Sequence, residues 1–200
     1  MHRGTLGMLS GAALAMTMTA SAGAQPLDLS ATSNTSGLSV GLHLNTSAIR
    51  SPDSVTDKGG GVGLRLSYGL NQTVAFFLAY DVATFSARLM DYGMIHTDFG
   101  LRFSLADVTS TTVPYVEGAF SERAWYQAAY TNERAFTGNA ATFGGGIQHF
   151  VDRRIALDAG LLFSYGTFTD ASVNGAPVPD YRGDAHWSSR FNLGLRMHFR

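Results

Sequence analysis

The chain is 200 residues long and carries 14 Lys plus Arg against 15 Asp plus Glu, with no cysteine. That balance leaves no basic footprint for nucleic acid, and the lack of cysteine excludes disulfides, cysteine metal sites and lipid attachment at a cysteine. Charged residues are 14 % of the chain and Lys58 is its single lysine; an ordinary soluble domain is about a quarter charged, so this chain is expected to be buried, embedded in lipid, or both.

Residues 1–24 open with His2 and Arg3, continue through an apolar stretch from Leu6 to Met16, and end Ala22-Gly-Ala24. A short basic start, a modest apolar core and a small-x-small end are the pattern of a signal peptide, with cleavage expected between Ala24 and Gln25. The core is too short and too diluted by Ser, Thr and Gly for a membrane anchor. Residues 25–35 read as a linker, and 36–200 as one domain. No run of apolar residues in that domain is long enough for a spanning helix.

From Ser36 onward the chain alternates apolar and polar residues, the period of a β-strand. A first strand over 37–47 sets Leu38, Val40, Leu42 and Leu44 against Ser39, Gly41, His43 and Asn45. Strands over 60–70, 73–85 and 94–106 repeat the pattern, with Leu64, Leu78 and Leu101 on the oily face and Arg65, Asp81, Asp98 and Arg102 on the other. A fifth strand over 112–124 carries Glu117 and Arg123 on its polar face, and Pro114 sits near its start, where a missing ladder bond is tolerated. The sixth, 139–150, is weak and contains Gly144-Gly-Gly146. The seventh, 154–166, sets Leu157 and Leu161 against Asp158. The eighth, 187–199, is the clearest: Trp187, Phe191, Leu193, Leu195, Met197 and Phe199 oppose Ser188, Arg190, Asn192, Gly194, Arg196 and His198.

The links after strands 2, 4 and 6 are short, whereas 48–59, 125–138 and 167–184 are long. Short turns at one end and longer loops at the other mark a membrane barrel, and an even strand count puts both chain ends on the short-turn side. The fold expected is all-β: an eight-stranded antiparallel up-and-down transmembrane β-barrel. A soluble lipocalin-like barrel would alternate equally well with its oily face inward. Three features favour polar-inside. The polar face is mostly Gly, Ser and Ala, lysine is nearly absent, and aromatics flank the aliphatic band at both ends: Tyr68, Phe76, Phe103 and Phe199 at one, Tyr80, Tyr165 and Trp187 at the other.

The lumen should then hold Arg65, Asp81, Asp98, Arg102, Glu117, Arg123, Asp158, Arg190 and Arg196, with His43, His96, Gln148, Asn192 and His198. Eight strands leave an interior just wide enough for side chains, so these charges must pair. A salt-bridged plug is expected rather than a narrow pore. Pairing about a turn centred near 109–110 sets Arg102 opposite Glu117 as a lumen ion pair.

Four stretches carry a family resemblance: Gly61-Val-Gly-Leu-Arg-Leu-Ser-Tyr-Gly69, Pro114-Tyr-Val-Glu-Gly118, Gly144-Gly-Gly-Ile-Gln-His-Phe150 followed by Ala156-Leu-Asp-Ala-Gly160, and the closing aromatic strand. Over 36–200 the chain resembles the outer-membrane β-barrel domain family of OmpA/OmpX-like eight-stranded proteins. The resemblance implies location in the outer membrane and contact with its lipid. It also implies insertion by the outer-membrane assembly machinery, which reads a last strand usually ending on an aromatic residue. Here Phe199 is penultimate and Arg200 follows. A monomer is expected.

Catalytic candidates are few. His186-Trp-Ser188, with Asp184 nearby, resembles the His-x-Ser spacing of outer-membrane lipid A deacylases, and a nucleophile, a base and an orienting acid are what acyl hydrolysis needs. Those enzymes work from the outer barrel surface, whereas parity turns His186 and Ser188 inward. His96 with Asp98, and His43 with Asn45, place metal-compatible pairs on one strand face, but two donors per strand arise commonly by chance. Gly144-Gly-Gly146 lacks the strand-to-helix context of a phosphate loop. No catalytic, cofactor or metal site is therefore assigned. A non-enzymatic structural or surface-interaction role is expected, with Trp125, Tyr126, Tyr130 and Arg134 in the 124–138 loop as contact candidates. The same aromatics would equally serve in the aromatic girdle or to extend strands 5 and 6.

Overall fold

Alternation with a period of two becomes eight antiparallel strands in the computed structural model, which describes residues 33–50, 56–86, 91–107, 109–128 and 133–199. The leader 1–24, most of the linker 25–35 and Tyr130 lie outside the described residues. The strands are β1 (Gly37–Arg50), β2 (Thr56–Gly69), β3 (Val74–Ser86), β4 (Tyr92–Ser104), β5 (Thr112–Ala128), β6 (Glu133–Phe150), β7 (Ile155–Val173) and β8 (His186–His198). Each pairs with its sequence neighbours, and β1 pairs with β8 from Ser39↔His198 to Arg50↔Trp187, which closes the barrel. Closure satisfies the backbone groups that an open edge would leave bare in hydrocarbon.

Tight turns have a local cause. At the β2–β3 turn Asn71 Oδ1 accepts the main-chain N–H groups of Thr73 and Val74, both at 2.8 Å. At the β6–β7 turn Asp152 Oδ1 takes those of Arg154 and Ile155. A short side-chain acceptor thus fixes both reversals. Pro114 of β5 keeps its carbonyl in use, accepting Leu105 N–H at 2.8 Å. The entering segment lies across this end: Thr35 N–H donates to Gln72 Oε1 at 3.0 Å, and Gln72 Nε2 donates to Asn34 Oδ1 at 2.7 Å.

At the other end the strands outrun the sequence expectation. The described parts of the 124–138 stretch, 124–128 and 133–138, are strand and not loop. β5 runs to Ala128 and β6 begins at Glu133, with Trp125 paired to Phe136 and Gln127 to Arg134. β7 likewise continues to Val173 and turns at Asn174-Gly175, both with positive φ, into a two-residue return arm, Ala176–Pro177. That conformation suits an Asn-Gly hairpin turn. A bulge interrupts the β6–β7 register between Thr137 and Gly138.

The faces are inverted relative to a soluble protein. Leu42, Leu44, Leu64, Phe99, Phe120 and Leu195 are all more than half exposed on the outer face, while Arg65, Arg102, Arg123 and Arg190 are buried within. A lipocalin-like barrel with its oily face inward is thereby excluded. An apolar belt of this extent on a soluble surface would far exceed the few hundred Å² that monomers expose; in a bilayer it is the lipid-facing band. The flanking aromatics are also exposed on this face, Tyr68 paired to Phe76 at the turn end and Tyr165 to Trp187 at the loop end.

Candidate functional site

Small residues make room for large charged ones inside the wall. Gly146 and Gly160 face each other across β6 and β7, and a Cβ on either would strike the hydroxyl of Tyr115. The Tyr115 ring fills that space, donates from its hydroxyl to Asp158 Oδ1 at 2.7 Å, and lies 3.5 Å beneath the Arg102 guanidinium. We expect Gly160→Ala to cost about 1–3 kcal/mol, the usual penalty for overpacking. In a Tyr115→Phe background the same change should cost less, because the obstructing oxygen is gone. Thermal unfolding of the four variants in detergent measures the difference; equal costs in both backgrounds would contradict this packing.

Two ionic clusters occupy the lumen. In the turn-side cluster Arg65 makes a two-pronged bond to Glu117 at 2.7 and 2.9 Å. Arg102, opposite Glu117 in the β4–β5 register, donates from Nε to Glu117 at 2.8 Å and from a terminal nitrogen to Asp158 at 2.7 Å. Arg196 reaches the same Asp158 oxygen at 2.9 Å and donates to Ser67 Oγ at 3.3 Å. In the loop-side cluster Arg190 bridges Asp81 at 2.7 Å and Asp98 at 2.6 Å, and His43 Nε2 bonds the other Asp81 oxygen at 2.5 Å. Charges this deep hold only when paired and hydrogen-bonded. A cavity of about 20 Å³ remains beside Arg65, Arg102 and Tyr115, room for roughly one water.

Above the clusters the lumen widens into an aromatic mouth. Rings follow one another around the inner wall: Phe85 on Tyr92 at 5.0 Å, Tyr92 on Trp125 at 5.2 Å, Trp125 on Phe136 at 4.9 Å, Phe136 on Tyr181 at 5.3 Å, and Phe168 on His186 at 4.9 Å between centroids. Tyr92 donates to Asp57 Oδ2 at 3.1 Å. Trp125 thus belongs to the mouth and not to a loop, Tyr126 points outward, and Arg134 is exposed on β6. Sequence reasoning missed this collar, although Phe85 shares the parity of Asp81, and Trp125 that of Glu117 and Arg123. Below it Arg123 is fully buried, lies 5.3 Å from the Phe168 centroid and has no hydrogen-bond partner among the described residues.

The remaining candidates separate. His186 Nδ1 donates to the main-chain carbonyl of Asp184 at 3.1 Å, while His186 Nε2 and Ser188 Oγ have no hydrogen-bond partner among the described residues. The base-to-nucleophile bond of a hydrolase is therefore not formed. His96 Nε2 contacts Met94 Sδ at 2.9 Å. Among the described residues no three His, Asp or Glu side chains are grouped as metal ligands.

No family model matches the sequence, and no curated protein matches it. Solved structures do. Neisserial surface protein A (NspA) superposes with a TM-score of 0.68 at 18 % identity, over 82 % of this chain and 98 % of that one. Ail, the attachment invasion locus protein of Yersinia pestis, gives 0.56 at 13 %, over 82 % and 99 %. The outer membrane protein OprG from Pseudomonas aeruginosa gives 0.53 at 10 %, over 85 % and 98 %. At these identities the likeness is one of fold, and it coincides with the closed barrel, the apolar belt and the charged interior. By fold, the chain is a closed eight-stranded antiparallel β-barrel, the fold of these outer-membrane proteins.

Proposed function

We propose that this is a non-enzymatic, monomeric barrel whose lumen is plugged by its own ion pairs and whose loop end, facing outward from the cell, is the interacting surface. The observation that carries the reading is the lumen network. Arg65, Arg102 and Arg196 share Glu117 and Asp158, and Arg190 spans Asp81 and Asp98. A hydrated ion would have to break those contacts to pass. The surface role draws support from Ail, the attachment invasion locus protein, which has been crystallised in complex with a heparin analogue. The apolar belt takes outer-membrane lipid as its solvent, and the assembly machinery is the partner that would read β8.

Planar-bilayer recording of the folded protein tests the plug. No unitary steps are expected; stable steps of fixed conductance would overturn it. The hydrolase reading is tested separately by mass spectrometry of lipid A from cells expressing the protein and Ser188→Ala. The two profiles should be identical, and an acyl chain lost only when Ser188 is present would overturn the non-enzymatic assignment.

A further inference from the structure

We infer that the aromatic mouth is a binding site for a small organic ammonium ion. The cavity there measures about 340 Å³ and is walled by Tyr92, Trp125, Phe168 and Tyr181. Its acidic lining groups are Asp57 and Asp184; the His186 imidazole, stacked on Phe168 at 4.9 Å, also lines it, and no Lys or Arg is among the described residues that do. Ring faces and edges beside carboxylates, with no lysine or arginine among the described lining residues, favour a positively charged guest with an apolar body: the rings attract it through their quadrupoles, the carboxylates through their charge. The rings come from β4, β5, β7 and the segment entering β8.

The walls are held in place before any guest arrives. Tyr92 is packed between Phe85 and Trp125, and its hydroxyl fixes Asp57 beside the cavity. Tyr181 rests on Phe136. Rigid rings lose little freedom on binding. The Arg123 guanidinium already lies 5.3 Å from the Phe168 ring and does not line the cavity. Tyr92, Trp125 and Tyr181 are therefore the rings left for an incoming cation. A sugar would also stack on rings, but it would not need two carboxylates unopposed by a lysine or arginine among the described lining residues.

The inference deepens the surface-interaction reading and rests on the loop end being the interacting end. It does not depend on whether the lumen conducts. The chain has two tryptophans, so Trp187→Phe leaves Trp125 as the reporter inside the mouth. In a non-ionic polyoxyethylene detergent at constant ionic strength, choline is expected to change Trp125 fluorescence saturably. Asp184→Asn and Tyr181→Leu lie outside the strands and should leave folding intact, as heat-modifiable gel migration would show. Together they should weaken choline binding about tenfold. The neutral tert-butyl analogue of choline should not saturate. Equal responses to choline and its neutral analogue, no effect of the two substitutions, or saturation by glucose and not by choline would each overturn the proposal. Conductance measured on the same preparation reports on the plug independently, so either reading can fail without the other.

Discussion

Glu117→Ala is expected to destabilise the barrel by about 3–5 kcal/mol, the cost of stranding a buried charge by removing its partner. Both Glu117 oxygens are engaged, one by Arg65 and the other shared between Arg65 and Arg102. The two arginines do not suffer equally. Arg102 keeps its direct bond to Asp158 at 2.7 Å, whereas Arg65 is left with no direct hydrogen-bond partner among the described residues, only the face of Phe77, 4.2 Å away, and the more distant charge of Asp158. Removing Arg65 together with Glu117 should therefore recover more stability than removing Arg102 with Glu117, even though Arg102 is the cross-strand neighbour. Urea unfolding of the two double-mutant cycles in lipid decides this. Coupling as strong to Arg102 as to Arg65, or none to either, would contradict the network.

Leu195→Arg should cost about 2–4 kcal/mol, because it places a charge on the lipid face within the aliphatic band between the two aromatic girdles. Leu195 is 56 % exposed on β8 and flanked by the outward Leu42 of β1 and Leu157 of β7. Its cross-strand neighbours on that face are both leucines, so neither offers a counter-ion. Trp187→Arg, at the aromatic girdle, should cost about 0–1 kcal/mol from the charge itself, since water and headgroups lie within reach there. Comparable losses at the two positions would mean that the belt does not face hydrocarbon.

The inner and outer faces were legible in the sequence because a period of two admits only two assignments, and β8 separates Arg190 and Arg196 from Leu193 and Leu195 without exception between them. The pairing of Arg102 with Glu117 was likewise within reach, because a short turn fixes the register of the strands it joins. The contacts across the lumen were not. Arg65 meets Glu117 from 52 residues away, and Arg190 meets Asp81 from 109. Such contacts depend on barrel width, strand stagger and rotamer, none of which alternation encodes. The extended ends of β5, β6 and β7 were hidden for another reason. Aromatic and polar residues occur there on both faces, so the period-two signal fades just where the strands leave the bilayer. Asn174-Gly175 did mark a hairpin, and continuing the parity of Glu117 to Trp125 would have placed that ring at the mouth.

The central claim is that an apolar face meets lipid while a charged face fills the lumen. Nitroxide labels placed singly at each position from 189 to 198 in bilayers test it most directly, through their accessibility to oxygen, which concentrates in hydrocarbon. Accessibility should peak at 191, 193, 195 and 197 and fall at 190, 192, 194 and 196, following the alternating exposure of β8. Maxima at the even positions, or no alternation at all, would contradict the account.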